Sequence, residues 1–182
     1  MPVETINYLL ALGVIALQIS AAALLVLFLF RDRLPSLEWK RMFLAKWGLW
    51  IGFALTLIGS ALTLFYSEVI GFPPCPLCWW QRVFLYPQVV LFALALWRRD
   101  RTVAGYSIAL SIIGLGVGLY HHALQVLPAG SLPCPAEGTV SCAQRFVFEF
   151  GYITFPLMAA SLFAFLIVLM LFVRDSARRE RP

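Results

Sequence analysis

Two cysteines and an arginine make Cys75-Pro76-Leu77-Cys78-Trp79-Trp80-Gln81-Arg82 the chemically densest stretch of the chain. Pro76 suits the first turn of a helix, where its missing N–H is no loss. A helix starting there puts Cys75, Cys78 and Arg82 at i, i+3 and i+7, on one face. The thiolate is the reactive form of cysteine, and a helix N-terminus and a nearby cation both favour it. Arg82 is suited to stabilise a Cys78 thiolate, and negative charge on a flat electron acceptor lying against it. The stretch therefore reads as a candidate redox site.

Other uses of cysteine are weaker. A C-x-x-C pair also serves zinc and iron–sulfur clusters, and Cys75, Cys78, Cys134 and Cys142 are four possible zinc ligands. Arg82 on the Cys78 face opposes a cation, so no metal is expected. As a structural staple, a Cys134–Cys142 bridge would contribute only about 2.5 kcal/mol, and an adjacent-turn Cys75–Cys78 bridge less. Short exposed bridges are better suited to exchange.

The elements that must position this site are membrane spans. The uncharged run Val83–Trp97 rises only ~22 Å as a helix, against a bilayer core of about 30 Å. A span here must begin near Pro76, which sets Cys78 and Arg82 at the membrane edge. Charge-free runs at Ile6–Phe30, Trp47–Ser67, Thr102–Tyr120 and Phe150–Val173 supply four more spans. The 182-residue chain is 62% hydrophobic and 13% charged, with a mean hydropathy of +0.86, which excludes a soluble domain. The first run is not a cleavable leader: it lacks a basic flank, carries Glu4 and is too long.

The net charge of +5 does not point to nucleic acid, because its placement is topological. Arg31, Arg33, Lys40, Arg41 and Lys46 lie between spans one and two, and Arg98, Arg99 and Arg101 between three and four. Arg174, Arg178, Arg179 and Arg181 follow span five. These twelve of fourteen basic residues share one side, leaving Arg82 and Arg145 toward the other. The N-terminus is then outside and the C-terminus cytoplasmic. All four cysteines fall on the outer side, where disulfides persist.

In chain order, span one is an anchoring helix whose notable polar groups are Gln18 and Ser20. The segment 31–46, with Leu34, Leu37, Trp39, Met42 and Phe43, reads as a topogenic loop in preference to a short interfacial helix on the inner leaflet. Pro73 and Pro74 break the chain after span two, making spans two and three antiparallel neighbours. Pro87 is expected to kink span three, and Pro156 lies within span five. Gly114 and Gly118 form a small-xxx-small pair for close packing in span four. Tyr120, His121 and His122 end that span at the depth of Cys78; the two histidines point about 100° apart, so one faces inward. Pro128, Gly130, Pro133, Pro135 and Gly138 deny regular structure to the outer segment 125–149 around Cys134. Phe146, Val147, Phe148 and Phe150 are expected to rest at the interface. Residues 1–46 thus hold an extra helix and loop, 47–173 a redox bundle and 174–182 a basic tail.

C-P-L-C-W-W-Q-R, Y-H-H-A-L-Q and the C-P…S-C outer loop together resemble the disulfide bond formation protein B (DsbB) family, including its shorter-loop BdbC-like relatives. The resemblance covers roughly Trp47 to Val173. It implies an all-α four-helix membrane bundle, here with one additional N-terminal helix, in a bacterial inner membrane. It implies an enzyme passing electrons from a soluble DsbA-like thioredoxin-fold protein to a membrane quinone, ubiquinone or menaquinone. By the same resemblance Cys78 is the thiolate against the quinone, Cys75 its shuttle partner, and Arg82 and His122 quinone-binding residues. Cys134 is the cysteine attacked by the partner, and Cys142 the one that exchanges with Cys75. The first span and the short Cys134–Cys142 loop depart from the family pattern. Three other readings are a vitamin K epoxide reductase-like enzyme, whose C-x-x-C would come later in the bundle, a protein with structural disulfides only, and a transporter. Charge-free spans argue against the last.

Overall fold

The computed structural model describes residues 3–31, 33, 38–128, 131–134 and 140–179. Leu34, Leu37, Gly130, Pro135, Gly138 and Arg181, named above, lie outside the described residues. Five helices follow one another: α1 (Val3–Leu29), α2 (Glu38–Leu64), α3 (Pro76–Arg98), α4 (Val103–Val126) and α5 (Phe155–Arg179). A π-helical turn, Phe65–Val69, extends α2. α2 packs on α3, α3 on α4, α4 on α5 and α5 back on α2, closing a four-helix ring. α1 lies outside the ring, against α5.

α5 closes the core because it is apolar on most of its circumference, with Phe163, Leu166, Leu169, Met170 and Val173 fully buried. Its approach to α4 depends on small residues. A Cβ on Gly114 would lie 2.6 Å from the Phe163 ring, and one on Gly118 would lie 3.1 Å from the Ala160 Cβ. α1 and α5 are joined by a hydrogen bond from Gln18 Nε2 to Ser161 Oγ (2.8 Å). Toward the end carrying most of the arginines, Asp175 of α5 pairs with Arg31 (3.8 Å) and Arg41 (3.3 Å).

Four helices among the described residues are long and apolar enough to cross a membrane: α1, α2 with its π-helical extension, α4 and α5. α3 is the exception, because Gln81, Arg82, Pro87 and Gln88 interrupt it. Its polar groups point inward. Gln88 is fully buried and accepts from Ser107 Oγ at 2.7 Å, while its amide donates to Phe84 O and Ser111 Oγ.

Element bounds depart from the sequence expectation in physically sensible ways. α2 begins at Glu38, so much of the expected inner loop is helix. α4 runs on to Val126, which makes His121, His122 and Gln125 helical neighbours. Pro156 falls in the first turn of α5, where proline is tolerated, rather than inside a span. Of the outer apolar residues, Phe146 stacks on Phe72 (centroids 4.8 Å apart) and Val147 is buried, while Phe148 and Phe150 are exposed.

Candidate redox site

The chain reaches the site through a forced turn. Gly71 takes φ +83°, a left-handed value suited to glycine. Cys75 then serves as N-cap of α3, extended at φ −74°, ψ 168°, and its sulfur accepts from the Cys78 N–H at 3.4 Å. Capping by Cys75 folds the pair together: the two Sγ atoms stand 3.1 Å apart, both free thiols.

His121 comes from the facing end of α4. Its Nε2 lies 3.5 Å from Cys75 Sγ and 3.1 Å from the Cys142 carbonyl oxygen, and its Nδ1 lies 2.9 Å from Gln81 Nε2. Gln125, one turn on, donates to the carbonyls of Cys142 (3.4 Å) and Gln144 (3.0 Å). This tethers the outer loop over the thiols. Cys142 is 1% exposed and packs with Cys75 and Leu77. Its sulfur also receives the Leu77 backbone N–H and hydrogen-bonds to the Cys134 thiol. Cys134 itself is exposed. The four sulfurs therefore form a series from the exposed Cys134 to the head of α3.

Of the three thiols outside the helices, two are held protonated. Burial, then the Cys134 hydrogen bond, push Cys142 up to about 12. Cys75 is pushed up to about 12 by its hydrogen bond to Cys78 and then by burial.

Arg82 is 7% exposed. Its Nη2 donates to the Thr63 carbonyl oxygen at 2.9 Å, and its guanidinium lies 4.9 Å from the Trp79 ring centroid. Its Nη1 is buried with no hydrogen-bond partner among the described residues. Trp79 and Trp80 beside it are exposed.

The structure thus brings Cys75, Cys78, Cys142 and, through Cys142, Cys134 into one assembly with Arg82 alongside. His122, the expected quinone residue, hydrogen-bonds Thr154 Oγ1 at 2.9 Å, whereas it is His121 that faces the thiols. Gln81, Gln125 and Thr63 received no role from sequence. The two glutamines stood inside the quoted motifs, and Gln125 is one helical turn from His121, a spacing that could have flagged them.

A profile of the family "Disulfide bond formation protein DsbB" matches residues 43–173, a range that excludes α1. The SPbeta prophage-derived disulfide bond formation protein B of Bacillus subtilis is 42% identical over 112 residues, 62% of this chain and 75% of that protein. A probable disulfide formation protein C of Halalkalibacterium halodurans is 35% identical over 126 residues, 69% of this chain and 90% of that one. A probable disulfide formation protein of Chlamydia trachomatis is 31% identical over 133 residues, 73% and 96% of the respective lengths. No solved structure matches the chain. With its cysteines gathered at the head of a four-helix ring, and the match running through that ring, this chain belongs to the DsbB family of disulfide bond formation proteins.

Proposed function

We propose that the protein is a membrane thiol:quinone oxidoreductase that reoxidises a soluble DsbA-like thioredoxin-fold protein on the extracytoplasmic side of a bacterial inner membrane. The observation that carries this reading is the position of Cys142, buried against Cys75 with its sulfur on the N-terminus of α3. A loop cysteine in that position is suited to hand a disulfide on.

In this reading the partner's thiolate attacks Cys134 of a Cys134–Cys142 disulfide, and Cys142 leaves. Cys142 then attacks Cys75 of a Cys75–Cys78 disulfide, and Cys78 is released as a thiolate within reach of the Arg82 charge. Each step forms one S–S bond and breaks another, so thiolate fraction and access govern its rate. His121 is placed to take or return a proton at Cys75 Sγ. A quinone, ubiquinone or menaquinone, accepts two electrons and two protons when bound. The residues fit such a group: Arg82 Nη1 is a buried cationic donor with no acceptor among the described residues, and Cys78 and the Trp79 indole lie beside it.

α3 is the fifth span in this proposal. Its polar side chains are buried in the bundle, while Trp79, Trp80, Val83, Val90, Leu94 and Trp97 form its exposed surface, an exterior fit for lipid. Charge bias then puts the N-terminus outside and the C-terminus in the cytoplasm.

The test is anaerobic mixing of the detergent-solubilised protein with quinone and a reduced thioredoxin-fold oxidase, following quinone absorbance. Cys78→Ser should abolish quinone reduction. Retained turnover with the protein partner in Cys134→Ser would refute the relay.

A further inference from the structure

Cys75 Sγ, Cys78 Sγ and His121 Nε2 lie within 4.8 Å of one another, at the buried end of the relay. Metal–sulfur and metal–nitrogen bonds of about 2.3 and 2.0 Å put a sulfur and a nitrogen on one ion roughly 3.6 Å apart, and two sulfurs roughly 3.8–4 Å apart. Cys75 Sγ and His121 Nε2 already stand 3.5 Å apart. The sulfurs, at 3.1 Å, need part by less than about 1 Å. Gln81 can supply the outer support that metal-binding histidines use: its carboxamide, whose Nε2 stands 2.9 Å from Nδ1, turns over to accept the Nδ1–H, and the Cys142 carbonyl, 3.1 Å from Nε2, gives way to the ion.

Charge decides which ion fits. Two thiolates contribute −2 and Arg82 contributes +1, so a monovalent ion leaves the site neutral. A divalent ion leaves one uncompensated positive charge where desolvation is costly. Thiolate ligands favour soft ions such as Cu(I). We propose that the reduced Cys75–Cys78 pair and His121 form a binding site for a soft monovalent ion of the Cu(I) class. Arg82, which argues against zinc, thereby becomes the selectivity element. Two S–metal bonds and one N–metal bond form, the thiol protons leave to solvent, and no electron moves. The disulfide form has no thiolate to offer, so the site exists only in the reduced protein. Occupancy withholds both thiols from exchange, a consequence that rests on the redox function proposed above.

The probe is Cu(I), delivered anaerobically from its coloured bicinchoninate complex to reduced protein in detergent. Cys134→Ser/Cys142→Ser is the background, which removes the competing outer thiols. One Cu(I) should bind per chain, and none after the Cys75–Cys78 pair is oxidised. His121→Ala should weaken binding by about tenfold or more. Excess Zn²⁺ should fail to displace Cu(I), and Arg82→Gln should narrow that preference by roughly tenfold, as expected for loss of one charge at close range. Should the double variant not fold, Cys75→Ser in the otherwise intact chain must bind one Cu(I) fewer than the parent. Equal binding by the oxidised pair, indifference to His121→Ala, or equal Zn²⁺ affinity with and without Arg82 each overturns the proposal. Binding is read without quinone or partner. An ion bound by a chain inactive in quinone reduction would refute the redox function alone, and active chain without a bound ion would refute the site alone.

Discussion

Arg82 Nη2 donates to the carbonyl oxygen of Thr63 at 2.9 Å, tying the first turns of α3 to the last turn of α2 just ahead of the π-helical segment Phe65–Val69. A switch from i→i+4 to i→i+5 spacing leaves one carbonyl without its helical donor, and π turns recur at functional sites. Thr63 stands at that switch, and its carbonyl also takes the Ser67 hydroxyl (3.1 Å). Its own hydroxyl meets Tyr86 OH at 2.7 Å. One guanidinium nitrogen is thus fixed by backbone, while the other, Nη1, stays unpaired among the described residues.

Arg82→Lys keeps the charge but loses the fork that reaches Thr63 and the vacant direction together. A lost charged hydrogen bond is worth about 1.5–3 kcal/mol, so the KM for quinone should rise roughly 10–100-fold. The KM for the protein partner should stay unchanged. Steady-state kinetics with each substrate varied in turn decide it, and equal loss in both would argue that Arg82 only supports the fold.

The extra N-terminal helix meets the same region. Tyr66, within the π turn, donates to Asn7 Oδ1 on α1, and both residues are buried. Asn7→Ala leaves the Tyr66 hydroxyl unpaired and should cost about 1–3 kcal/mol. Asn7→Ala/Tyr66→Phe should cost less than the two single changes summed. Thermal unfolding in detergent measures all three, and strict additivity would mean the bond contributes nothing.

The helix ring depends on the α4–α5 approach. A Cβ on Gly114 falls 2.6 Å from the Phe163 ring, so Gly114→Ala should destabilise by about 1–3 kcal/mol through overpacking. Phe163→Leu should recover part of that loss in the double variant, read by the same melts. A neutral Gly114→Ala would show that the helices part freely.

Stability of the reduced protein should fall in alkali. Cys142 rises from an ordinary 9.0 to about 12 through burial and its Cys134 hydrogen bond. Between those values the folded chain keeps a proton that the unfolded chain has released, so its contribution is complete below about pH 9 and declines as pH rises, by up to about 1.4 kcal/mol per unit. Cys75 moves in the same direction for its own reasons. Melts at increasing pH should show the decline, and Cys142→Ala should lessen it, leaving the share that Cys75 contributes. A reduced chain whose stability is flat across that window would contradict it.

Much of the molecule was legible in the sequence, because the signals were local. Charge-free runs need no partner to be read as long apolar helices, and Pro76 marks the start of α3 to the residue. Cys75, Cys78 and Arg82 declared themselves by spacing, since three, four and seven residues on a helix share a face. Other features were not local. Span two looked shorter than α2 because charged residues at 38–46 read as loop, although helix propensity and Asp175 hold them in the fold. α1 seemed a bare anchor, and the use of Asn7 emerged only once Tyr66 was brought against it.

The sequence by itself determined the chemistry on offer: four cysteines, one arginine on the face of the C-x-x-C pair and two histidines in the same turn. Only tertiary structure decided which histidine faces the thiols. Adjacent residues on a helix differ by about 100° in direction, and the packing of α4 on α3 and α5 turns His121 to Cys75 and His122 to Thr154. It likewise lowered Cys142 onto the head of α3, through hydrogen bonds from Gln125 and Leu77 that link residues far apart in the chain.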